Sequence, residues 1–251
     1  MNPSNVALRE RAIKLRLYGL VASWGDYGHE PWVASLIEAE ERERARHSHQ
    51  YRISKAMIGS FKPMADFDWK HPQSIDRAQI QELVALNFMR ESTNVIVVGP
   101  NAVGKSMIAK NITHEAVMHG YSAKFVAASD MLNDLSSYDG SALRLRLKRY
   151  VAPKLLTIDE LGYMRYDHRF ADLLFEVVRQ RYEHESPIVL TTNKGFSEWN
   201  QVFASAACLL TLIDRLCHRS EIVQIAGDSY RLKEAVETST KRAARRHSKP
   251  V

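Results

Sequence analysis

The chain has 251 residues, 45% hydrophobic and 25% charged, which is ordinary globular usage and allows one large domain or a core domain with a smaller appendage. Its net charge of +6 permits a polyanionic partner without requiring one. The basic residues Arg9, Arg11, Lys14 and Arg16 are not followed by an apolar core, and the longest apolar stretch, Val202 to Ile213, is too short for a bilayer. No secretory leader and no membrane partner are therefore expected, and the location expected is cytoplasmic.

Residues 1–70 read as a separate helical domain. Val6, Ile13, Leu17 and Leu20 fall near helical spacing, with Gly19 marking an end. A second helix is predicted from Pro31 to about His49, where Trp32, Leu36 and Ile37 precede a run of alternating acids and arginines. The pairs Glu38–Arg42 and Glu40–Arg44 suit a solvated helix face. The stretch from Tyr51 to Pro63 then mixes basic and aromatic residues. It suits a nucleic-acid backbone, with Arg52 and Lys55 as candidate DNA contacts, and equally a helix end packed on a domain. Asp66-Phe67-Asp68-Trp69 leads to His71-Pro72, a predicted hinge or boundary.

From residue 71 to about 240 the pattern is α/β. Apolar runs at about 94–98, 123–127, 155–158, 188–191 and 222–225 read as strands. Helical patterns separate them at about Phe170–His184 and Glu198–Cys217, which predicts a parallel sheet covered on both faces. Leu143-Arg144-Leu145-Arg146-Leu147-Lys148-Arg149 alternates like a strand. Its place between two strands favours a helix with Leu143 and Leu147 inward. Arg144, Arg146, Lys148 and Arg149 are then either a solvated face or DNA contacts. Cys208 and Cys217 have no partners at metal-ligand spacing and read as small apolar residues in a reducing compartment. A basic tail, 241–251, is expected to be disordered at its end and able to bind nucleic acid nonspecifically.

Between the first strand and the next helix lies Gly99-Pro100-Asn101-Ala102-Val103-Gly104-Lys105-Ser106. Strand, glycine-bounded turn, Lys-Ser and helix form the P-loop pattern in its required context. The glycines permit the turn, backbone N–H groups and the helix N-terminus cradle a polyphosphate, Lys105 reaches the β- and γ-phosphates, and Ser106 binds Mg²⁺. Met107, next along, belongs to the same nucleotide-contacting set.

About fifty residues on, an apolar strand ends in Asp159-Glu160. Asp159 fits the acid associated with Mg²⁺, and Glu160 the base for an attacking water. That second acid points to ATP hydrolysis rather than phosphate transfer to a bound acceptor. Asn193, after Ile188–Thr192, suits a residue beside the γ-phosphate that holds the water. Arg215 closes an apolar helix, where it either pairs with an acid such as Asp214 or reaches a neighbouring subunit's nucleotide as an arginine finger. Arg219 is a weaker candidate for that role, and Arg231 is a further cation placed to sense nucleotide. A nucleotide-binding structural module with little turnover is the reading these acids and arginines disfavour.

These motifs occur in order with Phe196-Ser197-Glu198-Trp199, Asp214-Arg215-Leu216-Cys217-His218 and Ser229-Tyr230-Arg231-Leu232-Lys233. Together they resemble the IstB-type transposition helper ATPases, relatives of the DnaC helicase loaders within the AAA+ class. The resemblance implies a P-loop NTPase AAA+ core, a five-stranded parallel sheet between helices, with a small N-terminal helical domain and no large C-terminal lid. It implies ATP and Mg²⁺ as cofactors and a homo-oligomer with ATP at subunit interfaces, assembled on double-stranded DNA, which it deforms. A cognate transposase would be recruited and stimulated there. It also implies Asn193 as first sensor, Arg215 as finger and Arg231 as second sensor. Asn101-Ala102 replaces an extra glycine of many such loops. A replicative helicase loader, with single-stranded DNA and a helicase as partners, is the alternative.

Overall fold

The structure, a computed structural model, describes residues 3–163, 166–203 and 207–247. The chain divides into two compact units, up to Arg52 and from Ile53 onward. The first contains α1 (Pro3–Lys14), α2 (Tyr18–Ala22), α3 (Trp24–Tyr27) and most of α4 (Pro31–Ala56). The chain reverses after α1 at Arg16, whose φ is +55°, so the helical spacing read through Leu20 is broken there. Ala12, Leu15, Trp24, Val33 and Ile37 form a small core. Trp24 Nε1 donates to Asn5 Oδ1 at 2.6 Å, and Arg11 meets Glu41 through two bonds of 2.9 and 2.7 Å.

Helix α4 runs seven residues beyond the predicted end at His49. Its charges pair along its own surface, Arg44 with Glu40 at 2.6 Å and Arg46 with Glu43 at 2.9 Å, as expected of a solvated face.

Residues 53–70 were grouped by composition with the N-terminal helices, yet they pack in the second unit. Ala56, Ile58 and Phe67 are buried against the sheet's own core. Next come α5 (Arg77–Val84), capped by Asp76, and then β1 (Asn94–Val98), α6 (Lys105–Met118), β2 (Ala123–Ala127), α7 (Ala128–Ser136) and α8 (Gly140–Val151). These are followed by β3 (Leu155–Leu161), α9 (His168–Glu183), β4 (Ile188–Thr192), α10 (Trp199–Val202), α11 (Leu209–Cys217), β5 (Ser220–Gln224) and α12 (Tyr230–His247).

The strands form one sheet in the order β2-β3-β4-β1-β5, and every neighbouring pair is parallel. Alternation along the strands feeds two cores. Val95, Val97, Val189 and Val223 pack with Ile108 and Ile112 of α6, whereas Ile96, Ile158 and Leu190 pack with α7, α9 and α11. Burial on both faces explains why these strands are apolar throughout.

The helix predicted over Glu198–Cys217 is interrupted. A 3₁₀ turn at Phe196–Glu198 and the short α10 precede α11, and residues 204–206 of the long apolar stretch lie outside the described residues. In α8, Leu147 is buried, Leu143 is half-buried and Leu145 is 67% exposed, so helical rather than strand periodicity holds. The first part of the basic tail, residues 241–247, is helical and continues α12; its end, residues 248–251, where disorder is expected, lies outside the described residues. Cys208 and Cys217 are free and half-buried, and burial pushes the Cys208 thiol up to about 11.

Candidate nucleotide-binding site

Parallel strands bring their C-terminal ends to one edge, and the ends of β1, β3 and β4 carry the chemistry. Register pairs Val98 with Thr192, so Gly99 emerges beside the end of β4, its N–H donating to Thr192 O at 3.2 Å. A Cβ on Gly99 would lie 2.3 Å from Ile225 O, and one on Gly104 (φ +105°) would lie 2.5 Å from the Phe67 ring. Both positions exclude a side chain, one by close approach and the other by conformation as well.

Between them Ala102 has φ +61° and its carbonyl accepts from Tyr230 N at 2.9 Å. Val103 is buried, and Met107 borders the cleft beside the loop. Gly104 is the N-cap of α6 with no side chain to bond the first N–H groups, which leaves them for an anion.

Lys105 Nζ donates to Gly99 O at 2.8 Å and Pro100 O at 2.6 Å. Burial lowers its pKa, and the negative charges of Asp159 and Glu160 act against that. A polyphosphate would favour the charged form further.

Ser106 Oγ donates to Asp159 Oδ1 at 3.0 Å. Thr191 Oγ1 donates to the same oxygen at 2.5 Å and accepts from Glu160 N at 2.9 Å. Glu160 sits where the β3–β4 register shifts, Asp159 and Glu160 lying between pairs that on β4 are separated by Thr191 alone, and its φ is +62°. A bulge re-aims the side chain that follows it, and here Glu160 borders the same cleft as Lys105 and Ser106.

Asn193 Nδ2 donates to Asn101 Oδ1 at 3.3 Å, while its own Oδ1 is buried without a partner. The uncapped N–H groups of α6 and the Lys105 ammonium fit the phosphates of a bound nucleoside triphosphate, and the orphaned Asn193 acceptor fits a donor such as a water beside them. Ser106 and Asp159 are the residues that would hold the nucleotide's metal ion.

His71-Pro72, after Asp66-Phe67-Asp68-Trp69, reads in sequence as a hinge or boundary. This segment instead forms one wall of the cleft, about 240 Å³, and the first turn of α12 forms another with exposed Arg231. His71 Nε2 bonds Asp228 O at 2.8 Å, Lys233 Nζ bonds Asp68 Oδ2 at 2.9 Å, and Ser74 bridges to Ala226. Asp68, His71, Tyr163 and Tyr230 were not singled out from the sequence. The Phe-Asp-Trp segment was the available signal, but nothing local shows that it returns to the P-loop.

Arg215 lies elsewhere. It borders a second cleft with Asn94, Arg181, Ile188 and Arg219, at the starts of β1 and β4. That is about one strand length, roughly 16 Å, from the P-loop edge. Its guanidinium lies 4.9 Å from the Phe175 ring centroid, one Nη is buried without a partner, and it makes no ion pair to Asp214 among the described residues. Arg219 is exposed and bonds Glu185 at 3.4 Å.

The candidate DNA contacts divide. Arg144 and Lys148 are exposed on α8. Arg146 is bound through two nitrogens to Asp134 and Arg149 lies 3.9 Å from it, so Arg146 is not an open cation. Arg52 bonds Ser48 at 2.6 Å, and Lys55 is exposed.

A parallel sheet in this order, carrying a P-loop, an acid pair and a polar residue after the next strand, defines a nucleotide-binding protein of the P-loop AAA+ class. Fold comparison agrees. DnaI is matched with a TM-score of 0.55 at 15% identity, covering 68% of this chain and 90% of that one. The DnaC helicase loader is matched at 0.52 and 18%, covering 64% and 96%. AMPPCP-bound DnaA from Aquifex aeolicus is matched at 0.52 and 17%, covering 70% of this chain and 56% of that chain.

Sequence comparison is more specific. The model of the IstB-like ATP binding protein family matches residues 14–238, and the chain belongs to that family. It is 36% identical over 85% of its length to an ATP-binding protein, so described, of insertion sequence IS5376 from Geobacillus stearothermophilus, covering 85% of that protein. It is 31% identical over 83% to a counterpart from insertion sequence IS21 of Pseudomonas aeruginosa, covering 79%. No helix among the described residues is long and apolar enough to cross a membrane.

Proposed function

We propose that this protein is a cytoplasmic, Mg²⁺-dependent ATPase that assembles on double-stranded DNA, deforms it and presents it to a cognate transposase. The observation that carries the hydrolytic part is the chain Ser106–Asp159–Thr191–Glu160. It holds a metal-side acid and a base on adjacent residues beside the P-loop lysine. Lys105 and the loop N–H groups bind the phosphates, Ser106 and Asp159 place the metal ion, and Glu160 takes a proton from the attacking water. Asn193 orients that water and Arg231 reads the nucleotide from α12.

One feature supports assembly and another supports transposition. Arg215 lies at the opposite end of the sheet from its own P-loop, with part of its guanidinium unpartnered, as a finger reaching a neighbour's γ-phosphate would require. Relatives carried by insertion sequences support transposition over helicase loading, because the likeness to DnaC and DnaI is one of fold. Bending DNA costs on the order of several kcal/mol, and an oligomer offsets that through repeated backbone contacts.

Glu160→Gln tests the reading. The variant is expected to bind ATP and remain as an ATP-bound oligomer on duplex DNA, visible by sedimentation. Turnover at the wild-type rate would remove Glu160 from its role.

A further inference from the structure

Away from the nucleotide cleft, the edge strand β2 carries a lysine in an unusual setting. Lys124 is only 5% exposed, yet an ammonium has three donors to satisfy. Its Nζ meets the Met57 thioether at 3.4 Å and lies 5.6 Å from the Tyr150 ring centroid. A thioether is a weak acceptor.

The nearby acid is already committed. Asp134 accepts two bonds from Arg146 and one, at 2.5 Å, from the Tyr150 hydroxyl. Arg149 repeats the pattern, with one nitrogen 3.7 Å from the same Met57 sulfur and another 3.9 Å from Asp134. Two cations thus converge on one neutral sulfur. They border a cleft of about 390 Å³ that also touches Asp130. Burial and the charge of Arg149 both lower the Lys124 pKa, with Asp134 opposing.

Burying an ammonium without an anionic or strong neutral acceptor is unfavourable, and a group with several anionic oxygens removes that deficit for Lys124 while also meeting the exposed Arg149. Met57, which would give way to the anion, is 56% exposed, with φ +55°, just past the end of α4. As edge strand, β2 also has backbone groups outside the sheet ladder. We propose that the cleft between β2, α8 and residues 57–58 is a phosphate-binding site. In it Lys124 and Arg149 exchange the Met57 sulfur for the oxygens of a phosphodiester in the DNA backbone or of a free phosphate. Exposed Arg144 and Lys148 lie on the same helix as Arg149; the DNA arm alone rests on the DNA-binding reading above.

The test uses the full chain with ¹³C-methyl methionine, the Met57 resonance being identified by Met57→Leu. Inorganic phosphate and a duplex DNA are titrated separately. The Met57 methyl is expected to move with at least one of them, the duplex assigning the site to the DNA backbone and phosphate alone to a small anion. Lys124→Met and Arg149→Gln are expected to abolish the movement while leaving AMPPCP binding unchanged. If the duplex is the ligand, Arg149→Gln should also lower the salt dependence of its binding by about one.

Met57 unmoved by either titrant, or moved equally in both variants, overturns the proposal. Should Lys124→Met fail to fold, Arg149→Gln on the more exposed side decides alone. A wild-type chain that binds no duplex strikes the DNA-binding reading, and the inorganic phosphate titration still decides the site.

Discussion

Thr191 shows how much of an acid pair depends on a neutral neighbour. Its hydroxyl is buried between β3 and β4, donating to Asp159 and accepting from the Glu160 backbone. Glu160 holds a left-handed conformation that L-residues adopt at a cost, so a specific acceptor for its N–H keeps the bulge in place. Thr191 is thus a positioning residue for the proposed hydrolysis. Thr191→Val preserves shape and removes both bonds. It is expected to lower ATP turnover roughly ten- to a hundredfold, with ATP binding retained. Thr191→Ser is expected to restore most of the rate. Steady-state kinetics beside AMPPCP binding checks this, and equal rates in Val and Ser variants would show that the hydroxyl is not needed. The hydroxyl was invisible in the sequence, where Thr191 reads as an ordinary β-branched strand residue. Its partners lie 31 and 32 positions away in the chain.

At the scale of elements, α8 tests how an ambiguous pattern resolves. Leucines at every second position suit a strand, but Leu143 and Leu147 also lie one helical turn apart. The topology needs a crossover between parallel β2 and β3, and the helix also places Arg146 and Tyr150 on Asp134 of α7. Leu147→Ala is expected to cost about 2–5 kcal/mol, while Leu145→Ala, at an exposed position, is expected to stay within about 0.5 kcal/mol. Denaturant unfolding of both variants measures the difference. Comparable losses at the two leucines would contradict the helical assignment. The same contacts separate the basic residues of α8. Arg146 is absorbed by Asp134, and Arg144 and Lys148 remain outward, a division that charge counting along the sequence cannot make.

For the whole molecule, the decisive relation is between the two ends of the sheet. The P-loop and acid pair occupy the C-terminal ends of the strands, whereas Arg215 and Arg219 lie beside the starts of β1 and β4. If Arg215 is the proposed finger, its place at that end would serve a second subunit rather than its own P-loop. Mixing Arg215→Ala with Glu160→Gln subunits is therefore expected to restore part of the hydrolysis that each lacks alone, because some interfaces join an intact finger to an intact base. Absence of rescue at every mixing ratio would count against a shared site.

The sequence by itself determined the nucleotide loop, the acid pair, the five strands and the family, because each of these is written in contiguous residues. Spacing within a turn and apolar runs that end in polar groups are local properties. Tertiary structure alone decided the rest: that residues 66–72 and α12 wall the nucleotide cleft, that Thr191 clamps Asp159 and Glu160, and that Arg146 is neutralised. It also placed Arg215 away from its own P-loop and set Lys124 and Arg149 against the Met57 sulfur. Each of these joins residues distant in the chain, and their partners are chosen by how the sheet orders its strands rather than by any pattern along the sequence.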